Sequence, residues 1–108
     1  MDDQEFQRLA EAALTDLKRA LIKAEEAIDM EVEEQSGAMH IGFEDPPARF
    51  VVSPNSAVRQ IWISALSTSF KLDWSPERSE WVLGRTGESL RTLMARLVTE
   101  QSGQQVAL

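Results

Sequence analysis

The apolar residues of this chain repeat at one period over its first quarter and at another over most of the remainder. That switch limits the chain to a small set of folds. From Asp3 to about Ala27 the apolar positions are Phe6, Leu9, Ala10, Ala13, Leu14, Leu17, Ala20, Leu21 and Ala24, with Ile28 following. Steps of three and four predict one long amphipathic helix, with no Gly or Pro to break it. Asp2, Asp3 and Glu5 near its start suit the positive end of the helix dipole. At about 1.5 Å per residue it spans roughly 35 Å, the full length of a small domain.

The period then becomes two. Asp29-Met30-Glu31-Val32-Glu33 alternates acid and apolar, and Ser36-Gly37 marks a turn. Met39, Ile41 and Phe43 alternate with His40 and Gly42 in a second strand. Asp45-Pro46-Pro47 interrupts the pattern, Arg49–Ser53 resumes it, and Pro54-Asn55-Ser56 reads as a further turn. Gln60–Ala65 and Ser69–Trp74 are the next strands, and the short Trp81–Leu83 is a candidate sixth. Thr86 reads as an N-cap with Glu88 in the first turn of a second helix. Leu90, Leu93, Met94, Leu97 and Val98 follow at helical spacing, and Gly103 is the expected C-cap.

The element order is therefore helix, five or six strands, helix. Strands joined by short turns form an antiparallel sheet, and two amphipathic helices cover one face of it. The expected class is α+β, a two-layer sandwich. At 108 residues the chain is expected to be a single domain, 1–108, large enough to bury a core without staples.

Charge narrows the function. The formal net charge is −7, and residues 1–34 carry all of it, with eleven acids against four bases. Such a field repels nucleic acid and anionic membranes and attracts cations and basic protein surfaces. With no cysteine, thiolate metal sites, disulfides and cysteine nucleophiles are excluded, and His40 is the one histidine. There is no Gly-rich phosphate loop and no Ser–His–Asp set, so catalysis is not expected. No basic-then-apolar leader opens the chain, and no apolar run approaches membrane-spanning length. The expectation is a soluble, cytoplasmic protein with no membrane or nucleic-acid partner.

Two groups of residues are candidates for binding. On the Gln60–Ala65 strand, Ile61 and Ile63 point one way while Gln60, Trp62 and Ser64 point the other. If the helices cover the isoleucines, Trp62 stands on the open face, as a partner contact or packed over neighbouring strands. Trp74 and Trp81 follow the aliphatic face and read as core, and His40 reads as a surface residue. Asp29, Glu31 and Glu33 share one face of their strand, roughly 6–7 Å apart at successive positions. Glu25 and Glu26 close the helix just before them. Such carboxylates can bind hard cations weakly, dock a basic surface, or simply form a solvated, charged edge strand. On the residues alone the solvated edge is favoured.

The run RFVVSPNSAVRQIWISA at Arg49–Ala65 resembles the frataxin family, in its bacterial, CyaY-like branch. The centre of the likeness is Gln60-Ile61-Trp62-Ile63-Ser64. Phe6-Gln7-Arg8-Leu9-Ala10 and Gly37-Ala38-Met39-His40-Ile41 support it upstream. Phe70-Lys71-Leu72-Asp73-Trp74, Trp81-Val82 and Gly87-Glu88-Ser89-Leu90 support it downstream. The resemblance implies an accessory protein of iron–sulfur cluster assembly that binds Fe(II) or Fe(III) weakly through an acidic ridge and modulates a cysteine desulfurase. The implied metal or docking residues are Asp3, Glu11, Glu25, Asp29, Glu31 and Glu33, with Glu26 beside them. Trp62, flanked by Gln60 and Ser64, is the implied contact with the desulfurase and the iron–sulfur scaffold protein, and the protein is expected to be a monomer.

The sequence also departs from the family's pattern. Mid-helix, where bacterial members tend to carry consecutive acids, it has Lys18, Arg19, Ile22 and Lys23, which split the ridge into two acidic ends. Ser53 and Ala57 replace an asparagine and a proline ahead of the tryptophan strand. A second reading is therefore a protein-interaction module of the same fold without meaningful metal binding. A ferroxidase is a third, and the shortage of histidine counts against it.

Overall fold

The computed structural model describes all residues 1–108, and its first element is the long helix α1, Asp3–Ala24. Asp2 caps it, accepting a hydrogen bond from the Glu5 amide at 2.8 Å. Phe6, Ala10, Leu14, Leu17 and Leu21 form its buried stripe. The helix ends three residues before the expected Ala27, and Glu25–Ile28 form turns instead. The Ile28 amide still reaches the Ala24 carbonyl at 3.0 Å. That bond carries the chain round so that Ile28 is buried and Met30 can start a strand.

Six strands follow: β1 (Met30–Gln35), β2 (Ala38–Glu44), β3 (Pro47–Asn55), β4 (Gln60–Ala65), β5 (Thr68–Ser75) and β6 (Glu80–Leu83). They lie in chain order, every neighbouring pair antiparallel. This is the α+β two-layer architecture expected from the pattern, with the sixth strand present. The Ser36-Gly37 and Leu66-Ser67 turns both take positive φ at both residues, the twist that suits two-residue hairpins. Asp45-Pro46 is a cis peptide between β2 and β3.

Pro54 corrects an expectation. It lies within β3, opposite Ile61 of β4, rather than opening a turn. Pairing of β3 with β2 has run out by then, since β2 begins at Ala38 and Met39 already faces Val52. A residue without an N–H is tolerated at such a free strand position.

The second helix, α2, runs Leu90–Ser102 and is capped by Ser89, whose side chain accepts from the Thr92 amide at 3.2 Å. Thr86 is not the cap, because Gly87 follows it at φ 79°, outside any right-handed helix. Thr86 instead closes a turn, its hydroxyl accepting from the Glu88 amide and donating to the Glu88 carboxylate. Glu88 is accordingly outside α2, yet its carboxylate grips Arg96 on that helix through two hydrogen bonds of 2.8 and 3.0 Å. Gly103 ends the helix at φ 75°, as expected. The chain then turns back so that Val106 is buried.

One apolar cluster joins the two helices to a single face of the sheet. It includes Met39, Ile41, Phe43, Phe50, Val52, Ile61, Ile63, Phe70, Leu72, Trp81 and Leu83 from the strands. Trp81 is buried and donates to the Leu9 carbonyl, while Trp74 is only partly buried against it. The residues between these point to the other face, which no element covers.

Two stability predictions follow from these local structures. Leu66, 38% exposed, sits at φ 52°, where a leucine side chain is disfavoured. Replacing Leu66-Ser67 by Asn-Gly should raise the unfolding free energy by about 1 kcal/mol, measured by urea denaturation. The Arg96 guanidinium holds the Glu88 carboxyl below its ordinary pKa by hydrogen bonding; burial opposes this and the Thr86 hydroxyl assists it. The stability this provides is complete above the unfolded carboxylate value of about 4.3 and is lost as pH falls through the lowered folded value. Glu88→Gln should therefore cost about 1 kcal/mol at pH 7, with the difference from the parent shrinking as the pH drops below about 4.

Candidate functional site

The acidic candidates are strung along α1 and β1 rather than gathered at one point. Asp3 and Glu25, at the two ends of α1, are about 33 Å apart along the helix axis. Asp3 is ion-paired with Arg59, in the β3–β4 turn, at 2.9 Å. Glu11 lines a surface groove with Glu34, Ser36 and Gly37, between the middle of α1 and the β1–β2 turn. Glu34 is itself reached by Lys18, from the middle of α1, at 3.6 Å.

Glu25 has a structural task that the sequence did not reveal. Its Oε1 accepts the Val32 amide at 3.0 Å, tying the end of α1 to β1, the edge strand of the sheet. Glu26 is exposed in the turn beside it. Asp29, Glu31 and Glu33 are exposed and make no ion pair or side-chain hydrogen bond within the protein. Their strand register sets Glu31 against Gly42 and Glu33 against His40. Asp29 and Glu31 share a shallow depression with Glu44 and Arg49, so a base from β3 sits among these acids. No three of the carboxylates and His40 converge as a ready-made metal cage. Two same-face carboxylates at about 7 Å repel by roughly 0.6 kcal/mol in water, which a bound cation or a basic partner surface would relieve.

The second candidate lies on the uncovered face of the sheet. Ile61 and Ile63 are buried under the helices, so Trp62 points outward, as the alternation required. It is half-buried and held on two sides. Its Nε1 donates to Gln60 Oε1 at 2.8 Å, and Gln60 Nε2 in turn donates to Asp73 Oδ1 at 3.1 Å. Lys71, its cross-strand partner on β5, places its Nζ 4.8 Å from the indole centroid. Ser64 is exposed two residues on, opposite Ser69. Lys71 and Asp73 were not singled out from sequence, because their relation to Trp62 exists only through the β4–β5 register. His40, on the same face, is within 3.5 Å of Arg49. The arrangement offers a fixed indole with polar neighbours and, along one edge, a row of free carboxylates. Both are means of binding.

A family model described as a frataxin-like domain matches residues 1–104. The "Iron-sulfur cluster assembly protein CyaY" of Azotobacter vinelandii is 29% identical over 79 residues, which are 73% of this chain and 71% of that protein. Among solved structures, the frataxin of Psychromonas ingrahamii superposes with a TM-score of 0.84 at 19% identity, over 99% of this chain and 97% of that one. Yeast frataxin gives a TM-score of 0.70 at 24% identity, covering 90% of this chain and 80% of its own. At those identities the two structures speak for the fold alone. The family match across nearly the whole sequence says more: the chain belongs to the frataxin family, as a CyaY-like member.

Proposed function

We propose that this protein is an accessory factor of iron–sulfur cluster assembly that works by binding rather than by bond-making. The reading draws on the name carried by its Azotobacter relative and on one observation in particular. Asp29, Glu31 and Glu33 stand exposed and unpaired along the edge of the sheet whose open face carries Trp62. In this reading the carboxylates meet a basic surface of a cysteine desulfurase, and Trp62, framed by Gln60 and Ser64, meets the assembled desulfurase and scaffold protein. Iron is a weakly held cargo of the Glu25–Glu33 end, coordinated by one or two carboxylates with water completing its shell. The protein acts as a monomer in the cytoplasm and modulates the desulfurase without turning over a substrate of its own.

The reading as an interaction module without useful iron binding is favoured by a separate observation. Glu25 is committed to the Val32 amide, Asp3 to Arg59 and Glu34 to Lys18, and no three acids converge. An anaerobic Fe(II) titration followed by backbone amide NMR separates the two. Iron as cargo predicts loss of signals over residues 25–34 with the rest intact; the interaction module predicts no change at millimolar iron.

Glu31→Lys with Glu33→Lys should weaken desulfurase binding about tenfold while leaving the unfolding midpoint within a few degrees, as expected for exposed charges. Unchanged affinity in a calorimetric titration would remove β1 from the interface. Trp62→Ala should cost about 2 kcal/mol of affinity for the desulfurase–scaffold assembly, the scale of an interfacial tryptophan, whereas Ser64→Ala should cost little.

A further inference from the structure

The solvent-facing side of α1 carries a charge opposite to that of its surroundings. Arg8, Ala12, Thr15, Arg19 and Ile22 follow at steps of four, three, four and three, which aligns them along the helix away from its buried stripe. Lys23 lies next to Ile22 at the end of this line. Lys18, Arg59, Arg78, Arg91 and Arg96 each hold a carboxylate, but Arg8, Arg19 and Lys23 take part in no ion pair. Ile22 is 47% exposed, one of few large apolar side chains left in water.

Between the two arginines, Ala12 and Thr15 floor a shallow hollow with Glu11 and Asp16 at its sides. Asp16 is already neutralised by Arg91 at 2.9 Å. Small side chains at the centre let a second helix approach to the usual interaxial distance of about 8–10 Å. Arg8 and Arg19 are eleven residues apart, about 16 Å along the axis and at nearly the same azimuth. A partner helix with two carboxylates at the same separation would meet both arginines at once. A continuous polyanion suits the face less well, because Glu5, Glu11 and Glu26 border it and the chain as a whole carries −7.

We propose that this face of α1 is a docking surface for an acidic helix of a partner protein, with Arg8 and Arg19 as charge anchors and Ile22 as the apolar contact. It is separate from the carboxylates of β1 and from Trp62, and opposite in sign to the former. It therefore stands or falls independently of the function proposed above.

The test is an amide NMR titration of the full chain at low ionic strength. The probe is an alanine-rich helical peptide of about 20 residues, with two glutamates eleven positions apart and a leucine three residues beyond the second. Shifts along residues 8–23 that saturate in a roughly millimolar or tighter range are expected. Arg8→Glu with Arg19→Glu should weaken the binding at least about tenfold, and the milder Arg8→Gln with Arg19→Gln less, both with unchanged circular dichroism. A peptide with lysines for glutamates should not bind.

No shifts, shifts at β1 or around Trp62 instead, or equal binding by the charge-reversed chain would overturn the proposal. So would tighter binding of a DNA dodecamer to the same face. A salt-sensitive dimer in sedimentation that disappears in the charge-reversed chain would overturn it too, by giving the surface to a second copy.

Discussion

A six-stranded sheet with helices on one side only must keep that side dry and leave the other wet. Side chains alternate along each strand, so every strand is divided between the two tasks. Ile61 and Ile63 go under the helices and Trp62 does not; Met39 and Ile41 go under and His40 does not. Six strands at about 4.8 Å spacing make a sheet roughly 24 Å wide, and a 22-residue helix of about 33 Å is ample to lie over it. The burial that stabilises the domain is thus confined to one layer of contacts. The other face carries His40, Trp62 and Ser64, which no helix covers.

The same division explains how the chain tolerates its concentration of negative charge. Nearly all the acids of the first third lie on surfaces that water reaches, where each close pair costs a few tenths of a kcal/mol. Part of the excess is answered internally: Lys18 stands by Glu34, Arg59 by Asp3, Arg91 by Asp16. Among the charges left without a partner, Asp29, Glu31 and Glu33 lie at β1, while Arg8, Arg19 and Lys23 stand along the outside of α1 with Glu5, Glu11 and Glu26 at its borders.

The sequence revealed most where a single periodicity governed a whole element. Gln60–Ala65 was bounded correctly because its alternation is uninterrupted and turn residues flank it. The end of α1 was placed too late because no Gly or Pro marks it and the turn after Ala24 retains a helix-like hydrogen bond. Pro54 misled because composition favours a turn there, whereas what matters is that its missing N–H faces no paired strand. Thr86 resembled a cap because it is the right residue type, and only the left-handed Gly87 moves the helix start to Leu90. For the candidate site, the alternation put Trp62 on the face away from Ile61 and Ile63 and put Asp29, Glu31 and Glu33 on one side of their strand. It left open whether Trp62 is free or packed; the residue is half-buried. The sequence could not show that Glu25 is occupied by Val32 or that Lys71 lies over Trp62, since both contacts depend on how separate elements meet.

The treatment of the sheet's two edges has a consequence for how such a protein changes over time. At one edge the Met30 and Val32 amides are taken by Ile28 and by the Glu25 carboxylate. At the other, Ser89 bridges to Val82, and the Leu83 amide donates to the Glu88 carbonyl. Part of the main chain at each margin is thus engaged by the protein itself, which leaves fewer free groups for strand addition. A main-chain interface is nearly blind to point mutation, whereas one made of exposed carboxylates, arginines and an indole can be retuned one residue at a time. A scaffold of this kind can stay fixed while an interface of side chains is adjusted, much as a printed page keeps its layout while single letters are changed.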